Sequence, residues 1–183
     1  MRVKAILPLL LAFIALPALS GEAAITMYLE VAGVEGEATE TNHKDWIEVL
    51  SYSWSAVQPT SHRSAMGGGG QPEGVVLRDF ECVKPLDKST PKLMESCCNG
   101  VLIPMVTLEV VRHVGESPTI LKYTLEGVIV TSVTDSANTG DEMPRQEVTF
   151  TFRKLTCTYT ETDGDGTTQG DVEFSYDQDS DQS

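Results

Sequence analysis

Three histidines, four cysteines and one alternating run of acids are the residues here whose types and spacing bear on chemistry. His43 and Asp45 stand two apart, which suits two ligands of a metal ion, but no third partner follows at a spacing diagnostic of zinc. His62 and His113 stand apart from other ligand-type clusters, so all three histidines read as surface or turn residues. Glu161, Asp163, Asp165 and Asp171 place alternating oxygens near a glycine, like part of an EF-hand calcium loop. Counted from Glu161 the glycine falls correctly at Gly166, yet Val172 occupies the bidentate position and no helix flanks the run. A solvated hairpin turn is expected there instead. The sequence contains no G-x-S-x-G, no G-x-x-x-x-G-K-[ST] and no C-x-x-C, and the run Gly67 to Gly70 lacks the Lys-Ser/Thr that a phosphate cradle needs. No catalytic residue, cofactor or metal is expected.

Cys82, Cys97, Cys98 and Cys157 admit three pairings. Cys97 and Cys98 are adjacent, and on a helix they would point about 100° apart, so one of the two at most faces a packed strand. One disulfide, or four small buried hydrophobes, are both compatible with this arrangement.

The elements that position these residues are mainly strands. Ala24 to Val34, Trp46 to Val57, Val75 to Val83, Leu102 to His113, Thr119 to Thr134, Gln146 to Thr160 and Asp171 to Tyr176 are rich in β-branched and aromatic types, with turn residues between them. In the stretch from Gln146, Val148, Phe150 and Phe152 share one parity while Leu155, Cys157 and Tyr159 share the other. Side chains alternate faces along a strand, so this switch near Arg153 and Lys154 predicts a bulge or bend. One segment carries helix signals: Ser89 or Thr90 as cap, Pro91 in the first turn, Lys92 to Asn99 as body and Gly100 as stop. Between Ala56 and Gly74 lies an interval with four consecutive glycines that cannot form a packed element, and loops of such length tend to be functional or disordered. Many strands, one short helix and no βαβ alternation predict a small antiparallel β-barrel or sandwich.

The 183 residues hold 13 Lys+Arg against 27 Asp+Glu, a net charge of -14. Binding to nucleic acid through phosphates needs clustered bases, so that class is excluded. The acid excess is concentrated late, with eight acids and no base over residues 161–183. The end, 177–183, reads as a solvated, disordered acidic tail after a domain over 24–176. At the other end Arg2 and Lys4 precede an apolar run from Ile6 to Leu19, too short to span a bilayer, with small residues beyond. This predicts a signal peptide over 1–23, cleaved after Ser20 or Ala23, rather than a retained apolar strand or helix. The product would be secreted or periplasmic, with no membrane contact once the leader is gone.

Taken in order, MYLEVAGVEGEA, HKDWIEVLSYSW (His43 to Trp54), a Gly-rich loop and DFECVKPLDKSTPKLMESCCNG (Asp79 to Gly100) resemble the haemolysin-coregulated protein (Hcp) family of type VI secretion. Tyr123, Leu125, Val128, Val130 and Ser132 fit that family's Y-x-L-x-x-V-x-V-x-S strand. Pro144, Glu147, Val148, Phe150, Lys154 and Tyr159 fit its next run, and a late Asp-Gly turn leads to Ser175-Tyr176-Asp177 where the family usually has Gly-Trp-Asp. The resemblance implies a β-barrel with one flanking helix that assembles as a homohexamer, whose rings stack into a tube and carry effectors in the lumen. It also implies that the Gly-rich loop is an arm touching a neighbouring ring or subunit, with Gln58, His62, Arg63, Met66, Gly68 and Gln71 as contact residues. A plain mobile surface loop is the other reading. Tube subunits of this family are normally made without a leader, so the apolar N-terminus departs from the pattern. The acidic end departs from it more weakly. An exported monomeric β-barrel binding a small ligand or calcium is the alternative function.

Overall fold

The computed structural model describes residues 24–59 and 74–179; the expected leader, the centre of the Gly-rich loop and the last four residues lie outside the described residues. Among the described residues, eleven strands and one helix follow in chain order: β1 (Ile25–Val31), β2 (Ile47–Val49), β3 (Ser51–Ser53), β4 (Ala56–Val57), β5 (Val76–Leu77), β6 (Phe80–Pro85), α1 (Thr90–Asn99), β7 (Leu102–Arg112), β8 (Thr119–Ser136), β9 (Arg145–Thr151), β10 (Lys154–Thr162) and β11 (Thr168–Asp177). Nine strands form one antiparallel sheet, and among the described strands β4 and β5 pair only with each other.

The sheet path runs β2-β1-β7-β8-β9-β6-β3, and its two ends are consecutive in the chain. The segment expected as one strand from Trp46 is instead broken at Leu50. Before the break β2 pairs with β1, through Met27↔Val49 and Leu29↔Ile47; after it β3 pairs with β6, through Tyr52↔Cys82. Leu50 itself donates its N–H to the carbonyl of Val83. One bent segment therefore stitches the first and last strands together and closes the β-barrel. Closure leaves few exposed edges. Inside it lie Leu29, Val31, Ile47, Phe80, Val106, Leu108, Leu125, Val128, Val148, Phe150 and Leu155, all nearly inaccessible. These alternate with outward polar residues, as a sheet with one buried face demands.

The parity switch near Arg153 marks a corner. The long strand β8 pairs with β10 over Leu121–Glu126 and with β9 over Ile129–Ser136. Its partner breaks between Thr151 and Lys154, where Arg153 donates its N–H to the carbonyl of Glu126 at 3.0 Å. Opposite this break Gly127 adopts φ +64°, and a Cβ there would press on Arg153. Both sides of the pair bend at one point, so Phe152 and Leu155 both reach the core despite their opposite parity.

Helix α1 begins and ends as its residues dictate, with Pro91 in the first turn and Gly100 at φ +60°, where the Gly100 N–H donates to the Cys97 carbonyl. Its start differs from expectation, because neither Ser89 nor Thr90 caps it through its side chain. Ser89 donates its hydroxyl to Asp87, and Thr90 accepts from the Asp87 N–H and from Lys84. The cause is Lys84, which is completely buried and needs partners: its ammonium reaches Asp87 at 2.7 Å, the Pro85 carbonyl at 2.9 Å and Thr90 at 3.1 Å. A buried charge must be paired and hydrogen-bonded, so the residues before the helix serve the lysine rather than the helix end.

The chain remains attached to the body beyond Tyr176. Asp177 closes β11 and accepts from Arg153 at 2.9 Å, Gln178 donates its N–H to the Arg153 carbonyl, and Asp179 lies 3.7 Å from the same guanidinium. The start of the expected tail is thus bound to the corner.

Candidate assembly surface

Of the six residues expected to make contacts through the Gly-rich loop, Gln58 is described; His62, Arg63, Met66, Gly68 and Gln71 lie outside the described residues. At the base of that loop Ala56 pairs with Leu77 and Val57 with Val76, forming a two-stranded ribbon separate from the barrel sheet. Val57 and Val76 are both exposed on it.

A second exposed region is the β10–β11 hairpin, which has two chemically distinct faces. On one, Thr156 meets Ser175, Thr158 meets Glu173 and Thr160 meets Asp171, each through a side-chain hydrogen bond. On the other, Leu155 lies opposite Tyr176, Cys157 opposite Phe174 and Tyr159 opposite Val172. This apolar face starts in the core, where Leu155 is fully buried, and emerges into solvent: Phe174 is 54% exposed, Tyr159 50% and Val172 70%. Strand β11 pairs with β10 alone among the described strands, so its outer side is a sheet edge. An open edge beside a cluster of exposed aromatic and branched side chains is a ready protein-binding surface. The alternation in Val172, Phe174 and Tyr176 was visible in the sequence; that no other described element covers it was not.

The histidines do not behave alike. His113 takes Thr26 through Nε2 at 2.7 Å near the surface, and His62 lies outside the described residues. His43, expected at the surface or in a turn, is instead 4% exposed. Its ring stacks on Tyr28 at 4.4 Å, meets Trp46 edge-on at 4.8 Å, and touches Glu40 through Nδ1 at 2.6 Å and Glu109 through Nε2 at 2.9 Å. Glu109 also accepts from Lys122 at 3.0 Å and Thr119 at 2.9 Å. The hydrogen bond from His43 holds the Glu40 carboxyl below the usual carboxylate range. Burial would push Glu109 up, but the hydrogen bonds from His43, Lys122 and Thr119 together bring it down. A hollow of about 780 Å³ opens beside this cluster, lined by His43, Trp46, Glu109, Ser117, Thr119 and Asp171 among others. Glu40 three residues before His43 was a local hint of the pairing; Glu109 is too distant in the chain to have been read.

Three of the four acids in the EF-hand-like run are hydrogen-bonded within their own hairpin. Asp163 accepts from Gln169, Asp165 from the Thr167 N–H and Asp171 from Thr160. Among the described residues no group of three or more His, Cys, Asp or Glu side chains is arranged to hold a metal ion. Cys82, Cys97, Cys98 and Cys157 are all free thiols in the structure. Cys82 is part of the core, Cys97 and Cys157 pack against it, and Cys98 is exposed. Burial pushes the thiols of Cys82 and Cys157 up, which leaves them little thiolate with which to react.

A family profile described as "Type VI secretion system effector, Hcp" matches residues 28–159. Protein hcp1 of Pseudomonas aeruginosa is 33% identical over 148 residues, covering 80% of this chain and 90% of that protein. Among solved structures, one described as a type six secretion system protein superposes with a TM-score of 0.78 at 25% identity, covering 86% of this chain and 98% of its own. Hcp1 from Salmonella typhimurium superposes with a TM-score of 0.69 at 25% identity, covering 86% and 96%. The profile spans the barrel from β1 into β10, and the chain belongs to the Hcp family of type VI secretion proteins.

Proposed function

We propose that this protein is a non-enzymatic, ring-forming subunit of a type VI secretion tube, assembling as a homohexamer whose stacked rings carry effectors in their lumen. The observation that carries this reading is the uncovered apolar face of β10–β11 beside an open sheet edge. Monomeric soluble proteins seldom leave such a surface bare, and a head-to-tail contact that closes on itself produces a ring. The ribbon at the base of the Gly-rich loop supports a role for that loop as an arm between neighbouring rings or subunits, with Gln58, His62, Arg63, Met66, Gly68 and Gln71 in contact.

The basic start and apolar run over 1–23 support export of the chain through a leader cleaved after Ser20 or Ala23. N-terminal sequencing of the natural product tests this step: a product starting at Gly21 or Ala24 supports cleavage, and one starting at Met1 refutes it. Negative-stain electron microscopy of the purified protein tests the assembly. Annular particles of uniform diameter are expected, and a field of lone small particles contradicts the reading.

A further inference from the structure

We infer that the surface receiving the β10–β11 hairpin of a neighbouring copy is the corner where α1 ends and β7 begins, around Val101 and Leu102. The inference rests on the ring proposed above and names the second half of its contact. A ring built head to tail joins two different surfaces of each chain, so an apolar hairpin face requires an apolar counterpart elsewhere on the same chain.

A strand with one buried face alternates apolar and polar residues. At the start of β7 five apolar residues instead follow one another, from Val101 to Met105, and of these Ile103 alone is buried. Val101, Leu102, Pro104 and Met105 are exposed, Leu102 at 67%. Between this run, the turn at Ala32 to Val34 and the end of α1 lies a hollow of about 310 Å³, with Lys92, Glu95 and Asn99 on its helix side. An exposed apolar patch with a polar rim has the composition of a protein contact.

Charge selects this hollow over the others. The hairpin, residues 155–176, carries five acids and no base. The hollow beside His43 is lined by Glu109, Glu116, Asp165 and Asp171 with no lysine or arginine, and a smaller one near Met143 by Glu37, Glu48 and Asp87, again with no base. Both repel an acidic hairpin. At the α1–β7 corner Lys92 balances Glu95 at 2.9 Å, and the surface beside them is apolar.

Distance makes the contact one between copies. Val110 pairs with Leu121, Leu121 with Tyr159 and Tyr159 with Val172, which puts the most exposed part of the hairpin face level with Val110. Leu102 lies eight residues back along the same strand, about 27 Å at an ordinary strand rise. The hairpin cannot reach its own chain's patch, and the two stand at opposite ends of the sheet as head and tail. Phe174 and Val172 of one copy are seated against Val101 and Leu102 of the next.

Mixing two variants of the purified protein tests the pairing. Val172→Asp spoils the hairpin and keeps the patch; Leu102→Asp spoils the patch and keeps the hairpin. Each alone should sediment at one chain's mass and melt close to the parent. Mixed in equal amounts they should form a particle of two chains and nothing larger, because one intact hairpin meets one intact patch and the remaining surfaces are spoiled on both sides. Should Leu102→Asp unfold, Val101→Asp takes its place. If the patch variant assembles like the parent while Val172→Asp does not, the hairpin docks elsewhere: the pairing is overturned and the ring reading survives. A mixture that stays at one chain's mass overturns the pairing as well, and so does a Val172→Asp protein that assembles like the parent. A parent of one chain's mass at every concentration removes the ring reading and this inference together.

Discussion

Gly115 and Gly166 hold two turns of the barrel in direct backbone contact. A Cβ on Gly115 would lie 2.2 Å from the Asp165 carbonyl oxygen, and one on Gly166 would lie 2.3 Å from that of Val114. Both glycines have positive φ, at +59° and +90°. The turn between β7 and β8 is thus pressed against the turn between β10 and β11, which fixes how the hairpin stands relative to the barrel. A side chain has no room at either position, and neither obstacle is a flexible atom that can move aside. Gly166→Ala should lower stability by about 2 kcal/mol or more and loosen the β10–β11 turn first. Urea denaturation and hydrogen exchange of the hairpin measure both effects; an alanine variant of unchanged midpoint would show that the turns do not touch.

The apolar hairpin face separates assembly from folding. Val172 is 70% exposed, so Val172→Asp should leave monomer stability within about 0.5 kcal/mol of the parent. In the proposed ring contact the same change would bury an unpaired carboxylate, and the oligomer should be lost. Sedimentation and thermal melting distinguish the outcomes. Intact rings in Val172→Asp would place the interface elsewhere.

Lys84 offers a stability test away from the assembly surface. Its ammonium is completely buried and paired with Asp87 at 2.7 Å. Asp87→Ala leaves that charge without its counter-ion and should cost about 3 kcal/mol or more, with the turn before α1 disrupted. Chemical denaturation gives the value, and a loss under about 1 kcal/mol would mean that the Pro85 carbonyl and Thr90 satisfy the ammonium without a counter-ion.

Acid stability should depend on Glu109. Its folded-state carboxyl is depressed, so the stabilisation is fully present above the ordinary carboxylate value and is lost as pH falls through the lower folded-state value. Glu109→Gln should flatten the fall in melting temperature on the acid side while lowering stability near neutrality. A variant whose pH profile parallels the parent's contradicts the assignment.

Removing Met66 to Gly70 should leave the barrel folded, because the β4–β5 ribbon is separate from the barrel sheet. Ring stacking should weaken. Unchanged stacking, or loss of the folded monomer, would count against an arm at this place.

Strands, helix and corner were legible because each rests on local rules: alternation, Pro91 and Gly100 around the helix, and the parity switch before Leu155. Ser89 stands at the N-cap position as its type suggests, but neither it nor Thr90 caps through its side chain, because Lys84, invisible as a buried group in a linear reading, engages the residues around it. The break at Leu50 follows from which strands lie on either side of it, a property of the closed sheet rather than of WIEVLSYSW. His43 was misplaced for a similar reason, since Glu109 and Tyr28 arrive from other strands. The exposed hairpin face was present as a pattern, but exposure depends on what is missing opposite it.

The central claim is that this barrel closes into a ring with copies of itself. Sedimentation equilibrium of the protein lacking residues 1–23 measures it most directly. The account predicts a single species of six chains; a particle of one chain's mass at every concentration tested would contradict it.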